Sequence, residues 1–157
     1  PYPHGGIYLQ VTRGVAKRDH NFPKHAIPSV TMSCFGQKTP PKSLVETGCS
    51  VITHLEERWK RCDIKTIGLL PNVLAKQKAT EAKAREAILV TENEMVTEAS
   101  VSNCFIVKNG AVITHPANHN ILGGIAREVT INLARDFQIP VRERYYSLQE
   151  MREADEA

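Results

Sequence analysis

Lys65 stands between Ile64 and Thr66, close to Trp59 and Cys62, and is followed by Ile67, Leu69 and Leu70. A lysine drawn into apolar surroundings loses hydration of its charged form, which favours the neutral amine, the form that condenses with a carbonyl to a Schiff base. A lysine that snorkels to solvent is the plainer alternative. Glu98 ends a strand-like run ahead of Ser100 and Ser102; at the mouth of a pocket its carboxylate would pair with a protonated ring nitrogen, and in solvent it would do nothing. Gly123-Gly124 precedes a helical pattern, where bare backbone lets a phosphate reach the unpaired N–H groups of the first turn. The same pair also serves as an ordinary turn. Arg18 and His20 flank Asp19 in a loop. In extended backbone they project the same way and together would hold a carboxylate, Arg by its fork and His by a ring N–H, the alternative being a solvated basic loop. His4, His25, His54, His115 and His119 show no ligand spacing with acids or cysteines, and Cys34, Cys49, Cys62 and Cys104 form no CxxC pair, so reduced thiols and no metal are expected.

The elements that must position these residues follow from periodicity. Residues 6–13 (GIYLQVTR) put Ile7, Leu9 and Val11 on one face of a strand, and residues 29–35 read as a second strand. Between them residues 14–28 carry Pro23 and Pro28 and form a long loop. Thr39 before Pro40-Pro41, within residues 36–42, marks a linker. A strand over 48–54 leads into the charged stretch 56–65. Pro71 suits a first helical turn, and the Ala, Lys, Glu and Gln of 72–85 predict a helix. Short apolar runs follow at 87–91, 95–98, 103–108 and 111–114. Asn109-Gly110 between the last two predicts a type I′ hairpin. Ile125, Val129, Leu133 and Phe137 recur every four residues, predicting a helix over 124–137 with that stripe buried. Ser147 and Glu150 form a capping box opening a last helix. Strands, hairpins and helices without regular βαβ alternation predict an α+β fold.

The chain has 157 residues, 41% hydrophobic and 24% charged, with nine Gly and nine Pro. Collagen, coiled coil and disordered tail are excluded. No apolar run approaches the roughly 20 residues that cross a bilayer, and no leader pattern opens the chain, so no membrane partner and a cytoplasmic location are expected. Lys plus Arg number 20 against 17 Asp plus Glu, without a basic stripe, which argues against nucleic acid. The chain opens at Pro1 on the approach to a strand and closes at Ala157 just past a helix, and is read as the interior of a longer polypeptide.

Five segments occur in order: 13–23 (RGVAKRDHNFP), 58–65 (RWKRCDIK), 69–79 (LLPNVLAKQKA), 96–103 (VTEASVSN) and 114–127 (THPANHNILGGIAR). Together they resemble the fold-type IV aminotransferases that use pyridoxal 5′-phosphate. The resemblance implies that Lys65 carries the cofactor as a lysine aldimine and moves the proton between substrate Cα and cofactor C4′. Glu98 would face the pyridine nitrogen and keep the ring cationic. Leu122 would pack on a ring face, Ile125 and Ala126 would offer N–H groups to the phosphate, and Ser100 and Ser102 would support the carboxylate side of the site. Arg18 and His20 are similar to the loop pair of the D-amino acid aminotransferases, which traps the substrate carboxylate from the partner subunit of a homodimer. The implied reaction moves the amino group of a D-amino acid such as D-alanine to a 2-oxo acid such as 2-oxoglutarate. Branched-chain aminotransferases and aminodeoxychorismate lyase share the Lys and Glu and remain alternatives, as does an inactive fragment.

By the same resemblance, residues 1–38 are the end of a small N-terminal domain, 39–42 the linker, and 43–157 a larger cofactor-binding domain cut short at its C-terminal end. Ala126 stands where the family commonly has Thr, a loss of about 1 kcal/mol of hydrogen bonding. Ala99 replaces a usual Gly and would strain a turn that wanted positive φ. The N-terminal Arg and Tyr and the C-terminal Ser/Thr loop of the family's site have no counterpart here, so this segment alone is expected to be inactive.

Overall fold

The computed structural model describes residues 4–157; the approach to the first strand expected at Pro1 lies, for residues 1–3, outside them. The chain forms two units, Pro1–Gly48 and Cys49–Ala157. The division falls past the 39–42 stretch read as the linker, because Lys42–Thr47 folds as a short helix, α1, on the first unit's side of it.

In the first unit, β1 (His4–Thr12) and β2 (Ser29–Gln37) form an antiparallel ribbon. Its register pairs Ile7 with Cys34, Leu9 with Met32 and Val11 with Val30, so the alternation places all six on one face. None of the described residues of this unit is buried.

The second unit holds β3 (Val51–Leu55), α2 (Leu70–Glu81), β4 (Glu86–Val90), β5 (Val96–Ala99), β6 (Phe105–Lys108), β7 (Ala111–Thr114), α3 (Ile125–Asp136), β8 (Val141–Glu143) and α4 (Leu148–Arg152). Two mixed sheets result, ordered β3-β4-β5 and β6-β7-β8. β3 and β4 are parallel, as are β7 and β8, while β4–β5 and β6–β7 are antiparallel, so helices and mixed strands make the α+β fold that was expected. β4 buries both faces: Ala87 and Leu89 pack with Ala75 and Ala79 of α2, and Ile88 and Val90 join Val96, Ile106, Ile113 and Tyr146 in the larger core. That double burial explains its continuous apolar run.

Asn109 (φ 52°) and Gly110 (φ 71°) make the β6–β7 turn with positive φ at both central positions, as a type I′ hairpin requires. The Ser147 hydroxyl accepts from Glu150 N–H at 3.1 Å, but the Glu150 carboxylate binds Arg144 at 2.5 Å instead of closing the box. α2 stops short of the expected Arg85 because Lys83 turns left-handed (φ 56°) and a Schellman pair, Ala84 N–H to Ala79 O and Lys83 N–H to Thr80 O, ends the helix. α3 ends the same way at Gln138 (φ 59°).

Two further expectations are corrected. The stripe Ile125, Val129, Leu133 and Phe137 is exposed, from 50 to 77%; α3 buries Arg127, Ile131 and Ala134, because Arg127 is pulled inward by the His115 carbonyl (2.8 Å) and the Glu143 carboxylate (2.9 Å). Ala99 causes no strain: it ends β5, packs in the core, and its φ is not positive.

Candidate active site

A cavity of about 560 Å³ opens in the second unit between the loop after β3, the start of α2, and the segments that follow β5 and β7. Lys65, Glu98, Ser100, Ser102 and Leu122 all line it. The lysine itself is exposed at this wall, and Ile67, Leu69 and Leu70 around it are exposed too, so the apolar enclosure expected around Lys65 is not formed by its sequence neighbours.

Glu98 ends up in the cavity wall because β5 delivers it there as the residue before the strand's last, with Thr97 turned to the opposite side. The carboxylate is 7% exposed and is surrounded by donors. Arg58 Nη1 donates to Oε1, Asn103 Nδ2 to Oε2 at 2.9 Å, and the Leu122 N–H to both oxygens at 3.3 Å. Burial nonetheless outweighs these contacts and holds the Glu98 carboxyl above the ordinary glutamate range. Glu56 is the converse case. Burial pushes it up, but hydrogen bonds from Arg58 and from Thr97 Oγ1 (2.7 Å) together outweigh that and hold it below its ordinary range. Arg58, 6% exposed, is kept firmly protonated against its burial by Glu56 and then Glu98.

Ser100 and Ser102 have turned their hydroxyls to a partner not foreseen: Ser100 Oγ donates to Glu86 Oε1 and Ser102 Oγ to Oε2 at 3.3 Å. Asn72 of α2 ties the same segment down by donating to the Ser100 carbonyl at 2.8 Å. Leu122 lines the cavity, whereas Ile125 and Ala126 open α3 and are not among its lining residues. No side chain caps α3. The two glycines before it differ in kind. A Cβ on Gly124 would lie 2.5 Å from Asn103 Oδ1, so that position is small because Asn103 crosses it, while a Cβ on Gly123 would meet nothing within 4 Å. The Cys62 thiol, pushed up by burial, donates to the Trp59 carbonyl at 3.1 Å.

Arg18 and His20 belong to the first unit and are exposed. Their backbone is bent rather than extended, because the Asp19 carboxylate accepts from the N–H groups of His20 (2.6 Å) and Asn21 (3.3 Å), and those bonds hold its carboxyl below its usual range. The shared direction expected of the pair in extended chain therefore does not apply.

Arg58, Glu56 and Asn103 were not singled out from the sequence. A signal was available: Glu56 and Arg58 are two apart, hence on one side of extended chain, and Glu56, Glu57 and Arg58 lead directly into the Trp59 and Cys62 stretch. Among the described residues no group of three or more His, Cys, Asp or Glu is placed to hold a metal, and no helix is long and apolar enough to cross a membrane.

The family model for Amino-transferase class IV matches residues 1–157. A D-alanine aminotransferase of Staphylococcus epidermidis is 42% identical over 153 residues, covering 98% of this chain and 54% of that protein. A D-alanine aminotransferase of Listeria innocua is 44% identical over 155 residues, covering 97% and 53% respectively. Among solved structures, the branched-chain aminotransferase of the thermophilic archaeon Thermoproteus uzoniensis, with norvaline, superposes with a TM-score of 0.76 at 26% identity, over 95% of this chain and 51% of the other. The chain thus spans about half the length of the curated relatives it matches.

Proposed function

Because the chain belongs to the class IV aminotransferase family, we propose that the whole protein moves the amino group of a D-amino acid of the D-alanine type to a 2-oxo acid such as 2-oxoglutarate, using pyridoxal 5′-phosphate bound in the cavity of the second unit. The observation that carries this reading is an amine, Lys65, and a shielded acid, Glu98, on the wall of one cavity, in a chain more than 40% identical to D-alanine aminotransferases.

The residues present fit that cofactor. The cavity volume lies in the range of small-molecule pockets, the carboxylate is desolvated yet ringed by donors, and the space beyond Gly123 is open before an uncapped helix. Lys65 would hold the cofactor through Nζ, Glu98 its ring nitrogen and Leu122 a ring face, and its phosphate would have to extend past the cavity lining toward Gly123 to meet the N–H groups of Ile125 and Ala126 at the start of α3. When bound, the cofactor supplies a carbonyl for the substrate amine and a cationic ring that accepts the electrons left at Cα. Lys65 Nζ takes the proton leaving substrate Cα and returns it on the product side. Glu98, an acceptor, would keep a proton on the ring nitrogen. Ser100 and Ser102, with their protons given to Glu86, offer only lone pairs to the cavity and so favour a donor there. Arg18 and His20, exposed and bent about Asp19 in the first unit, would reach the substrate carboxylate as separate contacts rather than as a parallel pair, in a homodimer whose subunits share the site.

The test is amino transfer by the complete protein from D-alanine to 2-oxoglutarate, run beside branched-chain L-amino acids and aminodeoxychorismate. Pyruvate formation from D-alanine is expected, and turnover of only the other substrates overturns the specificity. Lys65→Ala is expected to lose all cofactor fixable by borohydride and to lower turnover at least about a thousandfold; retained fixation refutes the role of the lysine.

A further inference from the structure

We propose that Arg58, clamped by Glu56, is a positioning residue that sets how much of the Glu98 charge remains available to a protonated nitrogen in the cavity, an inference that rests on the cofactor site proposed above. The guanidinium is shared unequally. Glu56 takes Nε at 2.9 Å and Nη2 at 2.5 Å, with the Arg58 backbone N–H at 3.0 Å, while Glu98 takes Nη1 alone and the Asn120 carbonyl takes Nη2 at 3.1 Å. Four of the five guanidinium N–H directions are thus committed.

The charges in this cluster are one cation against two carboxylates. A forked pairing of Arg58 on Glu98 would cancel the Glu98 charge, and a protonated ring nitrogen would find little field to hold it. With the fork turned onto Glu56, one negative charge is left over at Glu98. The remaining contacts of Glu98, Asn103 Nδ2 and Leu122 N–H, are neutral donors: they orient the carboxylate without neutralising it. Thr97, the strand neighbour of Glu98, holds Glu56 in place through Oγ1, so the same strand positions the acid and anchors the residue that protects its charge.

The other titratable groups around the cluster do not compete for this role. Cys62, on the same loop as Arg58, is kept a thiol by burial, His115 after β7 is kept neutral by burial, and Asp63 pairs with Arg61 at 2.9 Å. Lys65 lines the same cavity but is not among the groups bonded to Glu98.

The experiment is a ¹³C NMR titration of the Glu98 carboxyl in the complete, cofactor-free protein, for wild type, Glu56→Gln and Arg58→Met. Glu56→Gln keeps the shape, removes a like charge and frees the fork, so the Glu98 midpoint is expected to fall. Arg58→Met leaves two buried acids facing each other, so it is expected to rise, by about one to three pH units. Shifts of the same sign in both variants, or none, overturn the proposal; because loss of a charge alone also moves the midpoint, the neutral change Thr97→Val, which leaves every charge in place, reads the clamp itself. If Arg58→Met does not fold, Thr97→Val decides alongside Glu56→Gln: it removes the hydroxyl that holds Glu56 at 2.7 Å and also faces the Leu89 carbonyl at 3.3 Å, while leaving every charge in place, and a fall in the Glu98 midpoint is expected, a rise or no change refuting the clamp. In protein loaded with pyridoxal 5′-phosphate, Glu56→Gln is expected to lower the midpoint for the ring nitrogen in the absorbance spectrum. Wild-type protein that takes up no cofactor refutes the proposed function, while the carboxyl titration still reads the clamp by itself.

Discussion

Residues 49–157 bury both faces of a central strand, with Ala87 and Leu89 against α2 and Ile88 and Val90 in the larger core; residues 4–48 contain an equally regular strand pattern and bury nothing. Leu9 is 55% exposed and Leu89 2%. Alternation is sufficient to pair two strands and to sort apolar from polar side chains, but a ribbon of two strands has no second layer, and burial requires one. The two units therefore separate what local pattern achieves from what layering adds. The candidate site residues divide along a similar line: Glu98, Ser100 and Ser102 in the cavity wall are held by hydrogen bonds to distant segments, while Lys65 is exposed and Arg18 and His20 lie at the local turn that Asp19 makes.

The largest test of this contrast is amide hydrogen exchange on the 157-residue chain. Amides of β4 to β7 are expected to exchange through global opening and those of β1 and β2 through local fraying, a difference of about a thousandfold or more in protection. Equal protection in the ribbon would remove the contrast. Next in size, Leu89→Ala is expected to cost about 2–5 kcal/mol in urea unfolding, whereas Leu9→Ala, with no layer to leave, should stay within about 0.5 kcal/mol. A large loss from Leu9→Ala would mean that its face is covered. The smallest effect concerns His115, which is 2% exposed and held below its ordinary value by burial. The unfolded chain takes up that proton near about pH 6.5 and the folded one only lower, so acidification through about pH 6.5 destabilises the second unit until the folded group also titrates. His115→Asn is expected to flatten that slope in thermal melts recorded against pH, and an unchanged slope assigns it elsewhere.

Local features were legible where one or two residues decide the backbone. Asn109-Gly110 makes its turn from its own φ preferences, and Ser147 caps α4 with its own hydroxyl. The α2 and α3 ends were less legible, because Lys83 and Gln138 take a left-handed conformation usually left to glycine. The α3 stripe misled for a different reason. Periodicity marks a face that favours cover but does not say which face meets this core, and the ion pair of Arg127 with Glu143 turned the helix the other way. At the site, the ordered motifs bring Lys65 and Glu98 into view, but not Arg58, Glu56 and Asn103, whose importance lies in contacts across 40 and more residues of chain or across a strand end.

The order of residues along the chain was enough to establish the family, most of the strands and helices though neither α1 nor β8, and the types of group available for chemistry, since each of these depends on local preference or on motif spacing. Only the folded arrangement decided that Glu98 keeps company with Arg58, that the hydroxyls of Ser100 and Ser102 turn to Glu86, and that α3 presents its apolar stripe to solvent. Those outcomes depend on desolvation and on the competition of several donors for one carboxylate, quantities that exist only once distant segments share a low-dielectric space.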